Sequence, residues 1–160
     1  MHLSLIFVLC ALGGNDTLTA DHQKLNFLAG TWETESTYPS TGLKVKGKLS
    51  YEWVLGGSWL KFTFNGKHPR RAYWEAHGMM HYDKTKGSYQ SIAFFSDDGP
   101  HTMTGSLVGA NTVRFETEAN GIRSGIDYTK TETAVYQENW RIEKDSSKVI
   151  TLKTTYRAAS

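Results

Sequence analysis

Four histidines, His68, His77, His81 and His101, fall within one third of the chain, and His77 and His81 stand four residues apart. On a helix that spacing puts two imidazoles on one face, where they can share a zinc ion. The segment that carries them, Tyr73-Trp74-Glu75-Ala76-His77-Gly78-Met79-Met80-His81-Tyr82, has a central glycine and leads into a hairpin, so it reads as a strand. Strand positions four apart share a face but lie ~13 Å apart at ~3.3 Å per residue. Two ligand bonds of ~2.1 Å cannot span that gap. Glu75 and His77 could act as an acid and base from one strand face, about 7 Å apart along the backbone. The opposite face, Trp74, Ala76, Gly78, Met80 and Tyr82, is more apolar and is expected to face the core, which leaves Glu75 and His77 in water. Asp97-Asp98 beside Gly99-Pro100 reads as a turn and not as a calcium loop. The sequence holds no Gly-x-Ser-x-Gly elbow, phosphate loop or dinucleotide fingerprint. It assigns no catalytic residue, no metal ligand and no cofactor.

Function is then left to apolar surface, and composition agrees. The 160 residues include 5 Trp, 8 Tyr, 7 Phe and 15 Gly but only 3 Pro, a balance that suits strands joined by glycine-marked turns. A net charge of +2, from 18 basic and 16 acidic residues with interleaved signs, gives no cause to expect a nucleic-acid or membrane-surface partner.

Leu3 to Leu12 is an apolar run too short to span a bilayer and about the length of a signal-peptide core. Residues 1–20 are therefore expected to be a signal peptide and linker, cleaved after Gly13 or Ala20, and the protein to be exported. The alternative is a first buried strand. Cys10, the single cysteine, falls inside this run, and Phe7-Val8-Leu9 before it is not a lipid-attachment box, so the mature chain would carry no thiol and no membrane-inserted segment.

The barrel domain is expected over residues 21–160. Asp21 can cap a helix carrying Leu25, Phe27 and Leu28, ended by Gly30. From Gly30 the period changes to two. Expected strands run Thr31 to Tyr38, Lys44 to Leu55, Ser58 to Asn65, Arg71 to Tyr82 and Ser88 to Ser96. Five more centre on Met103 and Leu107, Val113 and Phe115, Ile126 and Tyr128, Tyr136 and Trp140, and Leu152 and Tyr156. Turns are read at Gly56-Gly57, Asn65-Gly66, Asp83 to Gly87, Asp97 to Pro100 and Asn120-Gly121. Ten strands with hairpin-short links exclude parallel crossovers and leave a barrel or a sandwich. The all-β, up-and-down antiparallel barrel is preferred, because a meander closes its own edges.

The inward face is read as Tyr51, Trp53, Phe62, Phe64, Trp74, Met80, Ile92, Phe94, Met103, Phe115, Tyr136 and Trp140. Glu138 shares parity with the last two and could bond a ligand's polar end. Small or polar lumen positions, Thr34, Ser36, Gly78, Gly105 and Ser124, together with a ten-strand circumference, favour a partly open cavity over a filled core. The expected function is binding of a small apolar or amphipathic ligand by a monomer or weak dimer. An enzyme using Glu138 or His101 on a lumen-bound substrate, or a filled barrel serving as an interaction module, are the alternatives.

Leu25-Asn26-Phe27-Leu28-Ala29-Gly30-Thr31-Trp32-Glu33, Val54-Leu55-Gly56-Gly57-Ser58-Trp59-Leu60, Tyr82-Asp83 before Gly87-Ser88-Tyr89, and the closing Thr155-Tyr156-Arg157 together carry a resemblance. In order and spacing the chain resembles the bacterial lipocalin-like proteins of unknown function in the calycin group, with His81 standing where those commonly have glycine. The resemblance implies a ten-stranded barrel with an internal pocket for an apolar molecule and brings no catalytic residues. It also implies an arginine of the last strand, Arg157, stacked on the Trp32 indole, with Arg141 as the competing partner. Nitrobindin-like barrels of the same group bind haem through a histidine near the C-terminal end. This chain has no histidine after His101.

Overall fold

The alternation from Gly30 onward becomes ten antiparallel strands that close on themselves in the computed structural model, which describes residues 19–68, 71–96 and 98–159. The apolar run containing Cys10, and with it the expected signal segment, lies outside the described residues. A four-residue helix, α1 (Ala20–Gln23), and a 3-10 turn (Asn26–Leu28) come first. The strands are β1 (Gly30–Tyr38), β2 (Leu43–Val54), β3 (Trp59–His68), β4 (Arg71–Asp83) and β5 (Ser88–Phe95), then β6 (Asp98–Gly109), β7 (Thr112–Ala119), β8 (Ile122–Lys130), β9 (Val135–Ile142) and β10 (Lys148–Ala158). Each strand pairs with its neighbours in sequence, and β1 pairs with β10, Trp32 opposite Ala158, to close the circle. Closure gives each strand a neighbour on both sides and so leaves no edge.

Three local expectations are corrected. Thr19, not Asp21, caps α1: its hydroxyl accepts from the His22 amide, while Asp21 sits in the first turn and pairs with Lys24. Asn65-Gly66 is not a turn; β3 runs on to His68, with Asn65 opposite Glu75. Gly66 and Gly47 are glycine because the Phe64 ring lies over both, and a Cβ at either would come within 2.5 Å of it. Asp98, Gly99 and Pro100 belong to the start of β6. There the register slips between Ala93 and Phe95, and a bulge of this kind tolerates a proline, which lacks the amide donor. The β2–β3 link does turn at Gly56-Gly57, with Leu55 also in the left-handed region.

The helical segment plugs one end of the barrel. Leu25 and Leu28 are fully buried there against Leu49, Leu60, Met80, Tyr89 and Phe115, each contributing about 1.5–3 kcal/mol by burial. Polar ties fix the plug: Trp32 Nε1 donates to the Leu28 carbonyl at 2.8 Å, Trp53 Nε1 to Asn26 Oδ1 at 3.0 Å, and the Tyr89 hydroxyl to the Asp21 carbonyl at 2.9 Å. The ring beside Trp32 is Tyr156, at 6.3 Å between centroids. Arg157 is exposed on the outer face opposite Glu33, and Arg141 pairs with Glu143, so neither performs the expected stacking.

Candidate functional site

Above the plug the barrel encloses a cavity of about 490 Å³, inside the ~300–1,000 Å³ range of small-molecule sites. Strand alternation delivers its lining. Every second residue of β1 through β10 points inward, and where that residue is small the lumen stays open. Thr34, Ser36, Ala76, Ser91 and Ala93 supply the openness. Gly78 and Gly105 do not: the Phe62 ring lies 2.4 Å from where a Gly78 Cβ would stand, and the Phe115 ring 2.7 Å from that of Gly105.

Of the residues read as inward, Tyr51, Phe62, Phe64, Trp74, Met80 and Met103 line this cavity. Trp53 and Phe115 share the inner parity but are spent at the plug, Trp53 against Asn26 and edge-on to His22, Phe115 between Tyr89 and Tyr128.

Phe94, Tyr136, Glu138 and Trp140 point outward, and their inward reading is overturned. On β5 the lumen takes Ser91, Ala93 and Phe95, and Phe94 is 49% exposed. The run Ile92-Ala93-Phe94-Phe95 is apolar on both parities, so alternation there had no contrast to read. On β9 the lumen takes Gln137 and Asn139, Tyr136 is 45% exposed, and Glu138 pairs with Lys153 at 3.2 Å outside the wall. Trp140 is buried without entering the lumen. It lies on the outer surface over Gly125, where a Cβ would come within 2.4 Å of its ring, and beneath Arg114 and Lys148 at 5.2 and 5.0 Å. Its Nε1 donates to Asp127, which Arg114 also grips with two hydrogen bonds. Burial opposes charge on that carboxyl, but the bonds from Arg114 and Trp140 and the two nearby cations outweigh it and hold its pKa at about 2.

The residues missed are Thr154, Tyr128, Tyr156, Gln137 and Asn139, which join the expected Ser36 and Tyr51 on a polar far wall. Ser36 and Thr154 share a hydrogen bond of 2.8 Å. The Tyr51 hydroxyl interacts with those of Tyr128 and Tyr156, and Tyr156 donates to Gln137 Oε1. Gln137 Nε2 in turn donates to Asn139 Oδ1 at 2.6 Å. Burial pushes all three phenols well above the ordinary tyrosine value, so they remain neutral donors. The alternation Gln137, Asn139 would have marked this wall, had a polar face been accepted as an inner one.

His101 and Asp98 stand at the cavity's open end, His101 Nε2 2.8 Å from Asp98 Oδ2 and edge-on to Phe95. Asp98 is held below the usual carboxylate range, first by the Gly99 amide and then by His101. His77 and His81 both lie on the outer face, His77 bonded to Glu75 at 2.8 Å and His81 stacked on Trp59 at 3.9 Å between centroids.

Residues 17–159 match the family described as "Protein of unknown function (DUF1579)". No curated protein matches the chain in sequence. Among solved structures, the crystal structure of Rv2717c from M. tuberculosis is similar at 12% identity and a TM-score of 0.62, covering 90% of this chain and 100% of that one. A redesigned beta barrel is similar at 14% identity and 0.48, over 86% of this chain and 96% of that one. A de novo fluorescence-activating beta barrel is similar at 13% and 0.48, over 85% and 98%. At these identities the likeness is one of fold.

Proposed function

We propose that this chain, which belongs to the DUF1579 family of proteins of unknown function, binds a small apolar or amphipathic molecule in its lumen. The observation that carries the reading is the cavity of about 490 Å³ walled by Phe62, Phe64, Trp74 and Met80 and faced by a few convergent polar groups. A filled interaction module has no use for such space, since cores of that kind pack to near-crystalline density. The barrel is of the lipocalin-like calycin kind, working as a monomer or weak dimer after export and loss of the N-terminal run. Among the described residues no helix is long and apolar enough to cross a membrane.

Trp74 is the tryptophan that lines the cavity, so it is the natural reporter. A ligand burying about 300 Å² of apolar surface gains ~7 kcal/mol at ~25 cal/mol per Å², which alone would support an affinity of about 10 micromolar at best, and association costs weaken this to about 100 micromolar to millimolar. Native mass spectrometry of protein purified from its own cell should show a co-purifying small molecule, and an apolar probe should change Trp74 emission. Absence of both would refute the carrier reading.

A second reading has one observation in its favour. The His101–Asp98 pair at the cavity's open end could serve as a general base toward a lumen-bound substrate. Glu138 cannot, because it stands outside the wall with Lys153. Turnover of a lumen-bound molecule that is lost in His101→Ala, with binding retained, would support this version.

A further inference from the structure

The two halves of the cavity wall are chemically unlike. From β3 to β6 it is mainly apolar and aromatic, with Phe62, Phe64, Trp74, Met80, Phe95 and Met103, Ser91 being a polar residue among them. From β8 through β10 to β1 it is mainly polar and uncharged, Gln137, Asn139, Thr154, Thr34 and Ser36 with Tyr128 and Tyr156, interrupted by Ile126 and Leu152. Among the described lining residues, Asp98 and His101 at the open end are the ones that could carry charge near neutral pH.

Within the polar wall several hydrogen-bonding groups are committed to one another. Tyr156 donates to Gln137 and Gln137 to Asn139, and the Tyr51 hydroxyl interacts with those of Tyr128 and Tyr156. Ser36 and Thr154 satisfy each other. Thr34 stands apart from these pairs. It is 4% exposed, it lines the cavity opposite Tyr156 on β10, and its Oγ1 has no hydrogen-bond partner in the protein. A buried polar atom without a partner is destabilising, and its retention calls for a reason.

Resting on the carrier reading above, we infer that the lumen takes an uncharged amphipathic molecule whose hydroxyl or carbonyl oxygen pairs with Thr34, and whose apolar body lies against Phe62, Phe64 and Trp74. The chemistry is specific in both directions. A pure hydrocarbon leaves Thr34 unpaired and the Tyr–Gln–Asn wall facing apolar surface. A carboxylate or an amine brings a charge into a wall that holds no buried counter-charge among the described residues, and an unpaired buried charge is strongly disfavoured. A hydroxyl or carbonyl satisfies Thr34 and keeps the lumen neutral.

The test uses one carbon skeleton with three headgroups: 2-naphthol, naphthalene and 2-naphthoate, titrated calorimetrically into the full chain near neutral pH. One hydrogen bond of ordinary net strength predicts that the naphthol binds about three- to tenfold more tightly than the hydrocarbon. The naphthoate should bind more weakly than either. In Thr34→Val, which keeps the shape and removes the oxygen, the naphthol should lose its advantage, and in Thr34→Ser it should keep it. If naphthalene binds the unaltered protein as tightly as naphthol, or naphthoate binds comparably, the inference is overturned while the carrier reading stands. Survival of the naphthol preference in Thr34→Val would overturn the assignment to Thr34. If none of the three binds, the inference falls together with the carrier reading.

Discussion

Enlarging Ala93 should be better tolerated than enlarging Gly78, although the first change adds a whole ring and the second a single methyl. The two positions face each other across β5 and β4 and differ in what stands in front of them. Ala93 lines the cavity. At Gly78 a new Cβ would lie 2.4 Å from the Ile92 carbonyl oxygen and 2.4 Å from the Phe62 ring. The ring can swing, but the carbonyl is backbone and cannot. Gly78→Ala should therefore cost about 1–3 kcal/mol as an overpacking change. For Ala93→Phe the ring gains at most ~4 kcal/mol from ~150 Å² of burial, an upper bound because unfolded chains already shield some surface. Ordering the ring and crowding its neighbours offset this by roughly 1–3 kcal/mol, and shape mismatch takes up the remainder, so stability should stay within about 1 kcal/mol. The same ring occupies ligand space, and binding of 2-naphthol should weaken at least tenfold, or about 1.4 kcal/mol. Phe94→Ala is the register control: at 49% exposure it should cost about 1 kcal/mol or less and leave binding unchanged, whereas an inward Phe would cost about 3–5 kcal/mol. Urea melts and calorimetric titration read both quantities. Equal destabilisation by Ala93→Phe and Gly78→Ala would show a filled lumen, and a large loss from Phe94→Ala would refute the β5 register.

Trp32→Ala should lower stability by about 3 kcal/mol or more, because the indole both bonds the Leu28 carbonyl and packs on Tyr156 at the plug. Trp59→Ala, which removes an outer-face stack on His81, should cost about 1 kcal/mol in the same melts. Asp127 has a folded-state pKa of about 2 against an ordinary 3.8, so its contribution is complete above the ordinary value and is lost as pH falls through the folded one. Allowing for solvent screening that contribution is about 1–2 kcal/mol, and in Asp127→Asn the corresponding acid-side fall in stability between about pH 4 and 2 should be absent. The phenols of Tyr51, Tyr128 and Tyr156 are raised, so stability should fall above about pH 10 as the unfolded chain ionises groups the folded one keeps neutral. Ultraviolet titration should show these three resisting ionisation until the barrel unfolds, and full ionisation of all tyrosines in the native state would contradict the buried network.

The architecture was legible in the chain because it depends on short-range pattern. Alternation with a glycine-marked rhythm specifies strands, hairpin-short links specify antiparallel neighbours, and a preceding apolar helical stretch has one open barrel end to cover. On β2, β3 and β4 polar and apolar residues alternate cleanly, so Tyr51, Phe62 and Trp74 were placed inside correctly. On β5 and β9 the same rule failed for opposite reasons. Ile92 to Phe95 is apolar on both faces, and in β9 the larger apolar residues, Tyr136 and Trp140, lie outside while Gln137 and Asn139 lie within. Trp140 could be spared from the lumen because Arg114, Lys148 and Asp127, from three other strands, cover it on the outer surface. That cover exists only once β7, β8, β9 and β10 stand in register. The polar wall has the same origin: Tyr51, Tyr128, Tyr156 and Gln137 come from four strands, and their hydroxyls and amide come together only in a closed barrel. Periodicity along one strand reports which residues share a face. Whether that face is dry, polar or covered is set by partners distant in sequence, and this was decided by the tertiary structure alone.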